Sequence, residues 1–491
     1  MTAGKPPTKL AVRTRFAPSP TGALHIGGVR TALFNYLYAK RHGGTFLLRL
    51  EDTDRERFVP EGVGQIMEVL EWVGLIPDEG IWQGEHRGDC GPYIQSERVP
   101  HYQDYAEKLL AAGLAYRSYI STADFAALRS ESIAAKRPFV YRRKLELSNS
   151  EGHADSSLPI RLDIVACLSQ LGLSAIVWED EVRGKFVVDG ETLDDFVIVK
   201  ADGFPTYNFA NIIDDHLMQI SHVLRGDEFI SSTAKHALLY DALGFDRPVW
   251  AHLPVILGAD GAKLSKRHGD TDALQYREKG YLPEALINFL SLLGWNDGTE
   301  KEIFSLESLV SHFSLERVQK SPAKFDLERL NWLNGLYIRE QLSQAEYLKK
   351  ALASLQQAGL PTTDLAAQAS LLERERIKSF AELPTMIDFF FELPDLQPTL
   401  ALLTKKATAQ TISNHLKLAL DALATIDETV PAIESALRQQ ATDSDLKIGD
   451  FFSTIRVSIT GRTAAPGLFE TIQTLGLAES RQRLQRISDS L

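Results

Sequence analysis

A chain of 491 residues, 44% apolar and 24% charged, is longer than one hydrophobic core usually organises, so three or more domains are expected. A formal net charge of −12 argues against a protein that coats nucleic acid nonspecifically, although cations gathered on one face would still allow a selective contact. Cys90 and Cys167 stand far apart in no metal or redox spacing, the first residues form no apolar signal segment, and no run of about 18 apolar residues occurs; a disulfide scaffold, secretion and a membrane-spanning helix are therefore not expected, and the cytosol is.

Val12, Thr14 and Phe16 alternate with Arg13 and Arg15, the period of a strand with two unlike faces. The turn Pro18-Ser19-Pro20-Thr21-Gly22 ends it. After His25-Ile26-Gly27-Gly28, the residues Val29, Ala32, Leu33, Tyr36 and Leu37 share one helical face, and Gly43-Gly44 stops the helix. Phe46, Leu48 and Leu50 predict a second strand that delivers Glu51, Asp52 and Asp54 at its carboxyl end. Strands joined by a crossover helix are expected to be parallel, with a right-handed connection. Ligands of such sheets bind beyond the carboxyl ends of the strands, and anions bind at helix N-termini. Arg15, Ser19, His25, Gly27, Gly28 and Glu51 should then converge on one crevice offering a cation, an imidazole, bare backbone amides and a carboxylate. Such a crevice suits a phosphate-bearing ligand together with an amino acid.

Helices are predicted next over 60–75, with Val63, Ile66, Val69, Leu70 and Val73 inward, and around Tyr102, Tyr105, Leu109 and Leu110 up to Gly113. From about Arg117 to Glu191, short β-like runs mix with the polar stretch LSNSEGHADSSLP, which reads as an inserted α+β subdomain. The sheet resumes near Leu193 with a strand over Phe196–Val199, a turn over Ala201–Pro205, a helix over Asn208–Met218 and a strand running into Arg225-Gly226-Asp227-Glu228. A helix over Ser232–Leu243, a hairpin-like Gly258–Gly261 and the basic loop Lys263-Leu264-Ser265-Lys266-Arg267 follow. Beyond Pro283 the pattern is helical up to Leu491, with no return of a β-rich pattern, and reads as one or two helical bundles.

Taken singly these residues have plain readings: a packed histidine at His25, surface ion pairs at Arg15 or Glu51, a solvated basic loop at Lys263–Arg267. Together, HIGG at a helix start inside a βαβ unit and the distant KLSKR loop resemble the two signature motifs of class I aminoacyl-tRNA synthetases. TRFAPSPTG, HIGGVRTALFNYL, LRLEDTDRER, FPTYNFANIIDDH, LRGDEF, KLSKRHG and FDLERLNWLNGLYIRE resemble, in order and separation, the bacterial-type glutamyl-tRNA synthetases from about Arg13 to Glu340, and more weakly beyond.

The resemblance implies an α/β class I Rossmann-like parallel sheet split by an inserted α+β subdomain and followed by an all-helical anticodon-binding region. The expected domains are 1–115 and 193–256 for the two halves of the catalytic domain, 116–192 for the acceptor-stem-binding insert, 257–338 for the signature loop with a stem-contact domain, and 339–491 for the anticodon-binding helices. It implies ATP-dependent activation of L-glutamate to glutamyl-adenylate and transfer to the 3′-terminal ribose of tRNA(Glu), with tRNA(Gln) left open as a further acceptor. Attack by the 2′-hydroxyl, without a covalent enzyme intermediate, follows from the class.

By the same resemblance His25, Lys263 and Lys266 are the catalytic set, and His25, Gly27, Gly28, Lys263, Ser265 and Lys266 bind ATP. Arg15, Ala17, Ser19, Glu51, Tyr207, Asn211 and Arg225 match the glutamate site. Burying two carboxylates and an ammonium is costly unless each is paired. Arg15 and Arg225 are suited to bidentate carboxylate bonds, and Glu51 to the α-ammonium. Glutaminyl enzymes lack an arginine at the position of Arg225 and typically end in β-barrels, which favours glutamate. A silent paralogue that only binds RNA is the other alternative, and the intact His25, Lys263, Lys266 and Glu51 speak against it.

Many relatives carry zinc in the insert, but Ala115–Ile120 and Val140–Lys144 hold no cysteine, so no zinc is expected. Mg²⁺ should accompany ATP without a dedicated protein cage. A monomer is expected, and Leu372–Lys378 is a basic candidate for the tRNA surface, against the plainer reading of a solvated helix.

Overall fold

The computed structural model describes residues 11–146, 158–265 and 271–491. The chain divides into two compact units, Met1–Gln275 with Leu286–Asp326, and Tyr276–Ala285 with Leu327–Leu491.

The first unit begins as the alternating pattern requires. Strand β1 (Arg13–Phe16) pairs in parallel with β2 (Thr45–Leu48), residue for residue from Arg13 opposite Thr45 to Phe16 opposite Leu48. Helix α1 (Ile26–Arg41) connects them and buries Val29, Leu33 and Leu37 completely. After α2 (Pro60–Trp72), strand β3 (Glu79–Trp82) extends the sheet in parallel, and β4 (Glu85–Arg87) closes it antiparallel. Beyond α3 (Val99–Ala111), strand β5 (Ala115–Arg117) precedes α4 (Thr122–Ala134); β6 (Ile160–Leu162) and β9 (Val197–Val199) complete a three-stranded antiparallel sheet with β5.

Between β6 and β9 lie α5 (Ile164–Leu171), β7 (Ala175–Asp180) and β8 (Gly184–Asp189). After β9 come α6 (Tyr207–Leu217), β10 (His222–Gly226), α7 (Ile230–Leu243) and β11 (Val249–Leu253), and the second sheet runs in the order β10-β11-β7-β8. Thus 116–192 does not form one separate inserted sheet. Ile176, Trp178 and Asp180 point inward on β7, Trp250 of β11 pairs in parallel with Asp180, and the hairpin is part of the sheet that carries β10 and β11. Alternation announced strands here, but their partner lies 72 residues away from Asp180, beyond what local pattern encodes.

The two sheets meet where β1 lies beside β10. The Arg13 amide donates to Ser221 Oγ at 2.8 Å, and Asn35 Nδ2 of α1 donates to the Leu224 carbonyl at 3.0 Å. The carboxyl ends of β1, β2 and β10 are thereby brought to one cavity. A two-residue strand pair, β12 (Ile256–Leu257) with β13 (Ala323–Lys324), adds a β element beyond Pro283 that was not expected, because two residues carry no period.

The two insert segments considered for zinc are joined by other chemistry. Glu146 Oε2 accepts from the Tyr119 amide at 2.9 Å, and Oε1 accepts from Tyr141 Oη at 2.8 Å and from Ser118 Oγ. The Arg161 guanidinium lies over the rings of Tyr141 and Phe125, at 4.5 and 5.0 Å, a cation–π stack. Asp195 accepts from Tyr116 Oη at 3.1 Å and from the Arg143 and Ile164 amides at 2.8 and 3.1 Å.

The second unit is helical. Helices Ala409–Ala422, Val430–Asp443, Ile448–Thr460 and Leu477–Ser488 bury Ile412, Leu416, Leu437, Phe451, Ile455 and Leu484 in one apolar core. The segment Leu372–Lys378 is not a solvated helical face: the helix Asp364–Glu373 ends there, and Ile377 is buried. Glu373, 1% exposed, accepts two bonds from Arg376 at 2.9 Å, and Arg374 donates to the Arg339 carbonyl at 3.0 Å. Two of its arginines therefore serve structure.

Candidate active site

The cavity at the strand ends holds about 1000 Å³. Arg15, Ala17, Ser19, His25, Gly27, Gly28, Glu51, Tyr207, Asn211, Arg225 and Lys263 all line it. Ser265 is described but is not among the lining residues, and Lys266 lies outside the described residues.

Each lining residue is delivered by local folding already legible in the chain. Arg15 and Arg225 sit near the carboxyl ends of β1 and β10, Glu51 follows β2, and Tyr207 and Asn211 lie one turn apart on α6. What surrounds them was not legible. Arg15 donates through Nε to both oxygens of Asp215, at 3.1 and 3.2 Å. Arg49, wholly buried, donates to Asp215 at 2.7 Å and to Glu51 Oε1 at 3.0 Å, and Asn211 Nδ2 donates to the same Glu51 oxygen at 3.2 Å. Burial pushes the Glu51 carboxyl above the ordinary range against the pull of Arg49 and Arg15. Burial also acts on Asp215, but there Arg15 and Arg49 prevail and hold it below the ordinary value. Behind them Asp214 accepts from Arg98 Nε at 2.6 Å, Gln95 Nε2 at 2.8 Å and Tyr102 Oη.

Arg225 is supplied differently. It is 4% exposed, and its partners are all neutral: His252 Nε2 at 3.1 Å, His236 Nδ1 at 3.1 Å, Thr233 Oγ1 at 2.9 Å and Tyr207 Oη at 3.4 Å. Among the described residues no carboxylate pairs with it. Burial lowers its pKa; burial and the nearby guanidinium also lower that of His236 and, against the pull of Asp180, that of His252, which favours neutral imidazoles. A desolvated cation without a counter-ion is costly, and a ligand carboxylate would relieve that cost.

On the other flank His25 caps α1. Its Nδ1 accepts from the Gly27 amide at 2.9 Å, and its carbonyl accepts from the Gly28 and Val29 amides at 2.7 and 3.1 Å; the Ile26 amide donates to Thr271 O at 2.8 Å. The expected bare amides at Gly27 and Gly28 are therefore not present, because the capping histidine and the 271 segment use the first-turn donors. The glycines contribute space instead: a Cβ would lie 3.2 Å from His25 Nδ1 at Gly27, and 2.9 Å from Leu24 Cδ1 at Gly28. Lys263, which also lines the cavity, donates from Nζ to Glu228 Oε1 at 3.1 Å with its side chain 61% exposed.

Sequence reasoning passed over Arg49, Asp180, Asp215, Thr233, His236 and His252, and also Arg30. Arg30 lines the cavity, is 3% exposed and donates to the carbonyls of Leu293 and Pro254. For Asp214-Asp215 the available signal was a pair of acids inside the apolar helix NFANIIDDH; for the histidines there was none.

Two family models match the chain: "tRNA synthetases class I (E and Q), catalytic domain" over residues 11–332, and "Anticodon binding domain" over residues 329–488. The fold and the cavity at the strand ends are thus placed in the class I tRNA synthetases. A glutamate–tRNA ligase of Dehalococcoides mccartyi strain CBDB1 is 44% identical over 95% of this chain and 94% of its own. One of Moorella thermoacetica is 41% identical over 97% of each. A solved glutamate tRNA ligase of Elizabethkingia meningosepticum, in complex with its amino acid, superposes with a TM-score of 0.85 at 36% identity, covering 98% of this chain and all of that one. The chain belongs to the glutamate–tRNA ligase family.

Proposed function

We propose that this cavity joins L-glutamate to ATP as glutamyl-adenylate and passes the glutamyl group to the terminal ribose of tRNA(Glu). The observation that carries the choice of amino acid is Arg225, a buried cation whose protein partners are all neutral. A second carboxylate on the substrate, which glutamine lacks, completes its pairing. Arg15 and Ser19 hold the rest of the amino acid with Ala17, Tyr207 and Asn211, and Glu51 receives the α-ammonium.

Activation requires the α-carboxylate of glutamate to attack the α-phosphorus of ATP as pyrophosphate leaves. The protein contributes position and charge rather than a covalent step. His25, with Gly27 and Gly28 leaving room beside it, borders the nucleotide. Lys263, Ser265 and Lys266 bring positive charge and a hydroxyl toward the departing phosphates, and Lys263 must exchange Glu228 for them. The 2′-hydroxyl of the terminal ribose then attacks the activated carbonyl, releasing AMP.

Mg²⁺ enters with the triphosphate. Phosphate oxygens and water would furnish its coordination, with no dedicated protein cage required. No described helix is long and apolar enough to cross a membrane. A monomer working in the cytoplasm belongs to the same proposal, and tRNA(Gln) stays open as a further acceptor.

Charging purified tRNA(Glu) and tRNA(Gln) with glutamate and with glutamine in parallel tests it. Glutamate attached to tRNA(Glu) supports the reading. Glutamine attached in its place overturns it.

A further inference from the structure

The neutral partners of Arg225 are themselves held in one tautomer. Asp180, wholly buried on β7, accepts from His252 Nδ1 at 2.5 Å through Oδ2, while its Oδ1 accepts the Val182, Arg183 and His252 amides at 3.1, 2.8 and 3.2 Å. With its proton on Nδ1, His252 turns the Nε2 lone pair toward Arg225 Nε. Thr233 Oγ1 also lies 3.2 Å from that Nε2, but its hydroxyl hydrogen goes to the Phe229 carbonyl at 3.0 Å, leaving Oγ1 to accept from Arg225. A proton on Nε2 would set one N–H against another across 3.1 Å. His236 repeats the arrangement: Asn208 Oδ1 lies 2.9 Å from Nε2, which donates, so Nδ1 accepts from Arg225.

We infer that His252, fixed by Asp180, is a positioning residue that orients Arg225 toward the substrate carboxylate without cancelling its charge, and so sets the preference for glutamate over glutamine. This rests on the reading of Arg225 as the carboxylate partner. The contrast with Arg15 gives the physical reason. Arg15 is aimed by a carboxylate in direct contact with its Nε, which offsets part of its charge, whereas an imidazole between Asp180 and Arg225 transmits orientation and keeps the formal charge for the ligand. Aiming Arg225 with a direct carboxylate would produce a closed internal ion pair. The incoming carboxylate would then have to break it.

The test compares His252→Gln, His252→Leu and His252→Glu in the full-length enzyme, by tRNA charging with glutamate and glutamine, with KM for ATP and the melting temperature measured alongside. Gln retains an acceptor for Arg225 and a donor for Asp180, so its KM for glutamate should stay within about threefold of the parent. Leu should raise that KM at least about tenfold at unchanged KM for ATP. Glu should lower kcat/KM for glutamate by about 100-fold or more and narrow the glutamate-to-glutamine ratio, because the new carboxylate pairs with Arg225. Equal effects of Gln and Leu, or parallel rises in KM for glutamate and ATP, would mean a merely structural histidine and overturn the inference. If the Glu variant does not fold, the Gln and Leu pair decides. Parent enzyme that fails to charge glutamate, or an Arg225→Ala variant with unchanged KM for glutamate, would instead defeat the underlying reading of Arg225.

Discussion

Asp215 grips Arg15 through both carboxylate oxygens, at 3.1 and 3.2 Å from Nε, in a place where neither side chain is more than 4% exposed. The two residues lie 200 positions apart. Their contact joins the first βαβ unit to α6 and makes one site from two distant parts of the chain. Removing one member of such a buried pair leaves the other charge uncompensated. Asp215→Asn, which strands Arg15 and leaves Arg49 with Glu51 and Asp214 alone, should cost about 3 kcal/mol of stability. Urea denaturation of parent and variant at pH 7.5 measures it, and a loss within experimental scatter would contradict the role given to the pair.

Arg225 has the opposite electrostatic situation, so its removal should be selective. Arg225→Ala should reduce kcat/KM for glutamate on the order of 100-fold, the scale of a lost charge-assisted carboxylate contact, while KM for ATP changes by less than about threefold. Steady-state charging with each substrate varied separately checks both numbers.

Glu146 links the two insert segments that carry no cysteine. Glu146→Ala removes the acceptor shared by the Tyr141 and Ser118 hydroxyls and the Tyr119 amide, and should destabilise the first unit by about 2 kcal/mol. A zinc-selective chelator should leave the melting curve of the parent unchanged, since carboxylate bonds and the Arg161 stack do the joining. A chelator-induced drop in melting temperature would refute this account.

Glu373 gives the second unit a pH dependence of defined sign. Burial raises its carboxyl to about 7, outweighing Arg376 beside it. The folded form then binds a proton that the unfolded chain has released between its ordinary value near 4.5 and about 7. Stability conferred relative to the unfolded chain is full below about 4.5 and is lost as pH rises through about 7, a change of up to about 3 kcal/mol. Denaturation at pH 5 and pH 8 should show that fall in the second unit, and Glu373→Gln should flatten it. A profile that Glu373→Gln leaves unaltered would show that another group titrates.

The first crevice could be read directly because its parts are local. Alternation in Val12–Phe16 and Phe46–Leu50, the glycines after His25 and the polar residues following each strand determine strand, helix and turn within about 40 residues, and the βαβ rule then brings Arg15, His25 and Glu51 together. Motif order carried the reading further, to Arg225 and Lys263, both of which line the same cavity. Where local pattern misled, the cause was competition for the same atoms: the amides of Gly27 and Gly28 looked available until His25 was seen to cap its own helix.

What the sequence by itself determined was the kind of chemistry at each position: a cation at 15 and 225, a carboxylate at 51, an imidazole at 25. Only the tertiary structure decided their electrical condition. Arg15 and Arg225 are the same residue near the ends of two strands, yet one is paired through its Nε with Asp215 and the other faces His236, His252 and Thr233 with no carboxylate partner among the described residues. That difference depends on which distant side chains are buried beside each guanidinium. Coulomb interaction and desolvation act through space, and no spacing along the chain records them.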